Sequence, residues 1–88
     1  MIERVVTIKN NTGLHTRPAA TLVKIASKFK SDFFITKDGY EINGKSIIGV
    51  MTLAAEKGSV LTLTFRGMDE LEAANSLTKL FDDGFGEL

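Results

Sequence analysis

The chain contains no cysteine and no tryptophan, and it has a single histidine and a single proline among its 88 residues. Without cysteine there is no disulfide framework, no thiol redox chemistry and no cysteine-ligated zinc site. Lysine plus arginine total 11, as do aspartate plus glutamate, so no excess charge draws the chain to nucleic acid or to a membrane surface. No apolar run approaches the ~20 residues of a membrane-spanning helix.

The length of the chain further limits which class of protein it can be. A chain of 88 residues makes one small domain with one core, and we expect residues 1–88 to form it. Such a domain has little room for separate substrate and cofactor pockets. A carrier or binding module, with no cofactor and no metal, is therefore favoured over a complete enzyme. The start, Met1–Val6, lacks the pattern of a secretory signal, so we expect a cytoplasmic location.

Alternating or β-branched apolar residues predict four strands. They are Ile2–Lys9, Phe33–Thr36, Tyr40–Asn43 and Val60–Arg66. In the fourth, Leu61, Leu63 and Phe65 face one way and the intervening polar residues face the other. Asp38-Gly39 lies between the second and third strands and predicts a tight two-residue hairpin turn.

Apolar residues at helical spacing predict three helices. The first covers Thr21–Phe29 and is opened by Pro18. Its expected buried stripe consists of Ala19, Leu22, Val23, Ala26 and Phe29. The second covers Ile47–Ala55, with Ser46 as its N-cap.

The third helix follows the last strand. Asp69 and Glu72 resemble a capping box at its start. Its expected apolar face consists of Leu71, Ala74, Leu77 and Phe81, and Gly84 stops it. The tail from Gly84 to Leu88 is generic in sequence, and no role is assigned to it.

The element order β-α-β-β-α-β-α predicts an α+β fold. We expect an open-faced β-sandwich, in which three helices cover one face of a four-stranded, mostly antiparallel sheet. A right-handed first crossover leaves a slot for the last strand between the first and second strands.

The single histidine, His15, precedes the first helix. The first amides of a helix have no intrahelical partners, and the helix dipole is positive there, so this position favours an anion. Arg17 adds a side chain suited to bidentate phosphate binding. These residues indicate a nucleophilic imidazole that holds a phosphoryl group. An ordinary loop histidine is the alternative, and position alone leaves it open.

Two motifs carry a resemblance to a known family. The run Gly13-Leu14-His15-Thr16-Arg17-Pro18-Ala19, followed later by Gly44-Lys45-Ser46-Ile47-Ile48-Gly49-Val50-Met51, closely resembles HPr. This is the histidine-containing phosphocarrier family of the bacterial sugar phosphotransferase system, and the resemblance covers essentially the whole chain. It implies that Nδ1 of His15 takes a phosphoryl group from phosphorylated enzyme I and that IIA domains of sugar permeases receive it. It also implies that Arg17 stabilises the phosphate.

The second motif implies regulation. It is similar to the HPr subtype in which an HPr kinase/phosphorylase phosphorylates the serine that corresponds to Ser46. In that subtype the phosphoserine form binds a transcriptional regulator. A serine before a helix is also an ordinary N-cap, and the residues alone allow both interpretations.

The resemblance further implies a docking surface for these partners. Carried over by position, it consists of Thr16, Arg17, Ala20, Lys24, Ile47, Ile48 and Met51. Apolar residues ringed by basic ones suit acidic, apolar partners that are engaged briefly in turn. The alternative is that the apolar residues of this helix face the core, and for Ile48 or Val50 taken alone we adopt that interpretation. We expect a monomer with no nucleic-acid partner and no membrane insertion.

Two other functions remain open. One is an HPr-like regulator of carbon or nitrogen metabolism that takes no part in sugar uptake, although such proteins typically lack the phosphorylatable histidine. The other is a small nucleic-acid or ligand-binding sandwich, which needs a basic face with aromatic residues on its strands. The phenylalanines mostly look like core residues, and only Phe33-Phe34 is ambiguous.

Overall fold

The computed structural model describes residues 1–87. Its strands are β1 (Ile2–Thr7), β2 (Asp32–Lys37), β3 (Tyr40–Asn43) and β4 (Val60–Arg66). Its helices are α1 (Thr16–Ala26), α2 (Ile47–Thr52) and α3 (Glu70–Asp82), followed by a 3₁₀ turn at Gly84–Gly86. Leu88, the end of the predicted domain and tail, lies outside the described residues. Within residues 1–87, no helix has the length and apolar character needed to cross a membrane.

The four strands form one antiparallel sheet in the order β1-β4-β2-β3. The predicted element order is confirmed, and the last strand occupies the predicted slot between β1 and β2. The α+β open-faced sandwich is likewise confirmed. Asp38 and Gly39 in the β2–β3 turn have φ of 50° and 81°, as expected for a hairpin turn with two left-handed central residues.

The core lies between the sheet and the helices. Leu61, Leu63 and Phe65 of β4 are fully buried, because alternate residues of a strand point to one face. Phe33 stacks on Phe65 with ring centroids 4.8 Å apart. Phe33 is therefore a core residue, whereas Phe34 is half-buried. The helices contribute the buried residues Ala19, Leu22, Ala26, Val50, Ala73, Ala74, Leu77 and Phe81.

The first helix is displaced from its predicted bounds, beginning at Thr16 rather than Thr21 and ending at Ala26 rather than Phe29. Pro18 lies inside its first turn, where a helix needs no backbone N–H. At the other end, the amide of Phe29 bonds to the carbonyl of Ala26 at 3.2 Å in a tighter, three-residue turn. Phe29 consequently packs on the core from outside the helix and is half-buried.

The second helix is shorter than predicted, ending at Thr52 rather than Ala55. The amide of Leu53 bonds to the carbonyl of Val50 at 3.2 Å, so the last turn tightens. Ala54 then takes a φ of 50°, in the left-handed region that non-glycine residues seldom adopt. This backbone reversal ends α2 beside the candidate site.

The predicted capping box at the start of α3 is wrong. Asp69 is the N-cap residue, but its side chain makes no capping hydrogen bond. Its carboxylate accepts hydrogen bonds from the amides of Lys30 and Ser31, both at 2.9 Å, and from the Ser31 hydroxyl. The Ser31 hydroxyl, and next the Lys30 amide, hold the pKa of the Asp69 carboxyl below its ordinary value. Asp69 thus joins α3 to the loop between α1 and β2.

Glu70, rather than Glu72, reaches back over the helix start. Its carboxylate accepts a hydrogen bond from the Gly67 amide at 3.0 Å and lies 3.0 Å from the amino group of Met1. The Gly67 amide, and then the amino terminus, lower the pKa of Glu70. Leu71 is 56% exposed, so its assignment to the apolar face of α3 is also wrong.

Candidate functional site

The loop before α1 is held against the body of the protein. Gly13 has a φ of 62°, and a Cβ atom there would overlap the carbonyl oxygen of Ala55. The next residue, Leu14, is buried, and its amide donates to the same Ala55 carbonyl at 2.9 Å. These contacts fix the chain immediately before His15 and leave the His15 side chain exposed.

His15 is the N-cap residue of α1. Its backbone is extended, with φ of −74° and ψ of −176°, and its carbonyl accepts the Ala19 amide at 2.9 Å. The imidazole makes no capping hydrogen bond, so its nitrogens are not used in holding the helix. Within residues 1–87, the amides of Thr16 and Arg17 have no hydrogen-bond partner, and Pro18 has no N–H to offer. An exposed imidazole therefore lies at the positive end of α1 beside two unpaired amides.

Two cavities flank this helix start. The first, of about 300 Å³, is lined by His15 and Met51 together with Leu14, Ala54, Ala55 and Glu56. It joins the imidazole to the end of α2. The second, of about 560 Å³, is lined by Asn11, Thr12, Arg17, Pro18, Thr21, Phe85, Gly86 and Glu87. Arg17 and the C-terminal tail thus share one cavity.

The tail is tied to the loop before His15. Phe85 packs edge-on against Phe81, with ring centroids 5.0 Å apart. Glu87 Oε1 accepts hydrogen bonds from Thr12 Oγ1 at 2.6 Å and from Asn10 Nδ2 at 3.2 Å. The Thr12 hydroxyl, with smaller contributions from the Asn10 amide and the positive charge of Arg17, lowers the pKa of Glu87.

This contact is not predicted from the sequence, in which the tail has no assigned role. Asn10 and Thr12 look like ordinary turn residues, and no local pattern links them to a residue near the other end of the chain. A partial signal exists in Asn10, a polar residue that directly follows the predicted strand Ile2–Lys9. The structure buries it completely, and its Nδ2 also donates to the Gly13 carbonyl at 2.9 Å.

Ser46 is the N-cap of α2, as predicted. Its Oγ accepts a hydrogen bond from the Gly49 amide at 3.1 Å, and the residue is half-buried. The neighbouring Lys45 donates from Nζ to the Phe29 carbonyl at 2.7 Å, which ties the start of α2 to the chain leaving α1.

The residues predicted for partner binding are all exposed on α1 and α2, which pack against each other. On α2, Ile48 is 75% exposed, Met51 43% and Ile47 38%, whereas Val50 is fully buried. The core interpretation is thus right for Val50 and wrong for Ile48. On α1, the exposed members are Thr16, Arg17, Ala20 and Lys24. The part of the chain described here contains no cluster of three or more His, Cys, Asp or Glu side chains that could hold a metal ion.

Proteins of known family match almost the whole chain in sequence. The PTS-HPr family model, described as the PTS HPr component phosphorylation site, matches residues 2–83. The phosphocarrier protein HPr of Neisseria meningitidis is 45% identical over 87 residues, covering 99% of this chain and 98% of that protein. The HPr-like protein Crh of Halalkalibacterium halodurans is 49% identical over 77 residues, covering 88% and 92% respectively.

Solved structures with a similar fold are also similar in sequence to this chain. A crystal structure of HPr from Thermoanaerobacter tengcongensis has a TM-score of 0.97 and 46% identity, covering 100% of this chain and 99% of that one. A second structure of HPr from that organism, described as a dimer, has a TM-score of 0.79 and 47% identity, covering 99% and 100%.

The fold, the motifs and these relatives define a phosphocarrier of the bacterial phosphotransferase system. The chain belongs to the HPr family, and the resemblance inferred from its two motifs is confirmed. HPr proteins act as carriers and are not known as enzymes. The family also includes Crh proteins, which are linked to catabolite repression.

Proposed function

We propose that the protein accepts a phosphoryl group on His15 from phosphorylated enzyme I and passes it to IIA domains of sugar permeases in the cytoplasm. The observation that carries this proposal is the position of the imidazole. It is exposed, takes no part in helix capping, and lies beside two unpaired amides at the positive end of α1. Arg17, two positions further on, supplies a guanidinium that suits phosphate oxygens.

The transfer step needs little covalent chemistry from the protein. The lone pair of an imidazole nitrogen attacks phosphorus, the bond from phosphorus to the donor breaks, and the donor atom keeps that electron pair. Negative charge on the phosphoryl oxygens meets the amides of Thr16 and Arg17 and the Arg17 guanidinium. A charge at an exposed helix end is stabilised by about 0.3–1 kcal/mol. Such weak stabilisation suits a group that must be passed on.

Incubation with phosphoenolpyruvate and enzyme I, followed by intact mass measurement, tests the proposal. We expect one acid-labile phosphoryl group on the wild type and none on His15→Ala. The variant should unfold at an unchanged temperature, because His15 is exposed and buries nothing. Acid-labile phosphate on His15→Ala, or none on the wild type, would refute the assignment.

We further propose that partners dock on the predicted surface formed by Thr16, Arg17, Ala20, Lys24, Ile47, Ile48 and Met51, all of which are exposed. Ile47, Ile48 and Met51 offer an apolar patch, and Arg17 and Lys24 place positive charge on the adjoining helix. An acidic surface with an apolar centre complements this arrangement. The monomeric state stays a prediction, since one similar HPr structure is described as a dimer. Light scattering at assay concentration would decide it.

Ser46 is proposed as a regulatory phosphorylation site for an HPr kinase/phosphorylase, with a transcriptional regulator as reader of the modified form. A phosphate there would add about −1.5 to −2 charges next to Ile47 and Ile48. That charge would oppose an acidic docking partner without removing any core contact.

A purely regulatory protein is the second candidate, because relatives named Crh match as well as those named HPr. The two functions differ in whether His15 exchanges phosphoryl groups. Transfer from the phosphorylated chain to a IIA domain would favour the carrier, and its failure with every IIA domain of the host would favour the regulator.

A further inference from the structure

Methionine is the only sulfur-containing residue type in this chain. There is no cysteine, and the three methionines, Met1, Met51 and Met68, all have exposed side chains. An exposed thioether is open to oxidation to the sulfoxide, a change that methionine sulfoxide reductases reverse. The effect of such a change depends on what surrounds each sulfur, and the surroundings of Met51 and Met68 differ.

Met51 borders the candidate site. Together with His15 it lines the cavity of about 300 Å³ at the end of α2. A water molecule takes up about 30 Å³ in the liquid, so a small oxidant such as hydrogen peroxide has room to approach the side chain through this cavity. Met51 is also 43% exposed on the surface of α2. Its side chain is therefore accessible from solvent and adjoins the imidazole.

Met68 lies far from that cavity. It precedes Asp69, whose carboxylate accepts hydrogen bonds from the amides of Lys30 and Ser31 beyond the end of α1. His15 precedes the start of the same helix, whose 11 residues span about 16 Å. Met68 is fully exposed and is not part of the proposed docking surface. The chain thus contains a methionine that is more exposed than Met51 and remote from the imidazole.

The position of Met51 makes its polarity matter for docking. With Ile47 and Ile48 it forms the apolar part of the proposed docking surface, whereas Val50 supplies the buried contact of α2 with the core. Oxidation would convert its flexible apolar side chain into a polar one with an acceptor oxygen. A partner that covers this patch would have to remove water from that oxygen, and an acidic, apolar partner offers it no hydrogen-bond donor. The core contact of Val50 would be unaffected.

We propose that Met51 is an oxidation-sensitive site, at which conversion to methionine sulfoxide weakens docking of enzyme I and so slows phosphorylation of His15. This role rests on the proposed phosphoryl transfer and docking surface. In the oxidation step, the Sδ lone pair attacks one oxygen of hydrogen peroxide, and the O–O bond breaks as the S–O bond forms. The proton of the transferred oxygen passes to the departing hydroxide, which leaves as water. Sulfur loses two electrons, and the peroxide gains them.

The experiment compares the oxidised and untreated chain as substrates of enzyme I. The chain is treated with dilute hydrogen peroxide, the peroxide is removed, and peptide mapping by mass spectrometry gives the oxidised fraction of each methionine. Phosphoenolpyruvate and untreated enzyme I are then added, and steady-state kinetics give KM and kcat. We expect KM to rise about fivefold or more on oxidation, because a buried polar group is left without a partner. The kcat and the unfolding temperature should hardly change.

Two variants locate the effect. Met51→Leu and Met68→Leu each remove one sulfur and keep an apolar side chain of similar volume. Each variant is compared with its own untreated form, so any direct effect of Met51→Leu on docking cancels. We expect peroxide to raise the KM of Met68→Leu as much as that of the wild type and to leave the KM of Met51→Leu unchanged. Methionine sulfoxide reductases acting on both epimers, with a thiol as reductant, should restore the KM of the oxidised wild type.

Several outcomes would overturn the role of Met51. An equal rise of KM in peroxide-treated Met51→Leu would place the sensitive group elsewhere. An unchanged KM in wild type with Met51 oxidised would show that docking tolerates the sulfoxide, and a lowered unfolding temperature would make the effect one of folding. Oxidation of Met68 with Met51 left reduced would also contradict it. An untreated wild type that takes no phosphoryl group would instead refute the proposed function, whereas insensitivity to peroxide leaves that function standing.

Discussion

At the level of single residues, the surroundings of His15 are compatible with its proposed role as the phosphoryl acceptor. A structural histidine before a helix would spend a ring nitrogen on capping, and His15 does not. Its neighbour Arg17 is exposed and lies against the cavity that also contains Glu87. Arg17 has no part in the core, so we expect its charge to matter for transfer and not for folding.

Arg17→Glu tests this expectation. We predict a loss of more than tenfold in the rate of phosphoryl transfer from enzyme I, equivalent to about 1.4 kcal/mol or more of transition-state stabilisation. The physical reason is the replacement of an attractive charge by a repulsive one at the phosphoryl oxygens. The rate is measured by rapid quench and the fold by thermal unfolding, which should hardly change.

Arg66→Glu provides the control, since Arg66 is exposed at the end of β4, outside the proposed docking surface, and undergoes the same reversal of charge. A wild-type rate in Arg17→Glu would remove Arg17 from the site. Equal losses in both variants would point to net charge instead.

At the level of helices and strands, the sequence pattern predicts whether a segment is a helix or a strand better than it predicts where that segment begins and ends. Tyr40–Asn43 and Val60–Arg66 were predicted at their observed bounds, because a hairpin turn and strict alternation mark both ends of a strand. Helix ends depend on which groups are available to the last amides and carbonyls. The third helix shows this, because Asp69 binds Ser31, which is distant in sequence, instead of closing a capping box.

The second helix allows a prediction about regulation. Ser46→Asp should fold, because aspartate is as good an N-cap as serine and a negative charge is favourable at this position. We expect slower phosphorylation of His15, mainly through a higher KM for the chain as substrate of enzyme I, since the charge lies beside Ile47 and Ile48. Steady-state kinetics would measure KM and kcat separately and show which of them changes.

Authentic phosphorylation of Ser46 should have a larger effect than Ser46→Asp, because phosphate carries more charge. Asn75→Asp is the matched control. Asn75 is exposed on α3, outside the proposed docking surface, and aspartate keeps the oxygen that accepts from Arg4, so the KM of this variant should stay at the wild-type value. The electrostatic account is wrong if Ser46→Asp unfolds, or if protein phosphorylated on Ser46 takes up phosphoryl groups on His15 at an unchanged rate.

At the level of the whole molecule, the sheet order could be predicted because chain connectivity restricts it. A crossover through α1 leaves one slot, and β4 fills it. Chain connectivity places no such restriction on which polar side chains far apart in sequence come into contact. The Thr12–Glu87 and Ser31–Asp69 pairs depend on where the finished fold brings two surfaces together. The motif around His15 and Arg17 could therefore be recognised in the sequence, and the contact between Thr12 and Glu87 could not.

The Asp69 network leads to a prediction about acid stability. Because the pKa of Asp69 is lowered in the folded state, its contribution to stability is fully present above its ordinary value of 3.8. That contribution is lost as the pH falls below this value towards the folded-state pKa. Asp69→Asn should consequently lower the unfolding temperature at pH 7 and have a smaller effect near pH 3. Circular dichroism melts at both pH values measure the difference.

Asp38→Asn is the control, because Asp38 is exposed in the β2–β3 turn and asparagine tolerates its left-handed backbone. Its unfolding temperature should follow that of the wild type at both pH values. An equal deficit of Asp69→Asn at pH 7 and pH 3 would show that the ionised carboxylate is not what stabilises this junction.

The position of Pro18 limits how many backbone hydrogen-bond donors the start of α1 can offer to a phosphoryl group. A proline in the third place of α1 removes one N–H from the first turn, which leaves the amides of Thr16 and Arg17. A phosphoryl group bonded to nitrogen has three terminal oxygens. Two amides cannot supply one backbone donor to each, so on the proposed function at least one oxygen would depend on the Arg17 guanidinium or on water. A phosphoryl group on His15 would then lack one backbone donor, and we expect a receiving protein that supplies this donor to favour transfer to itself.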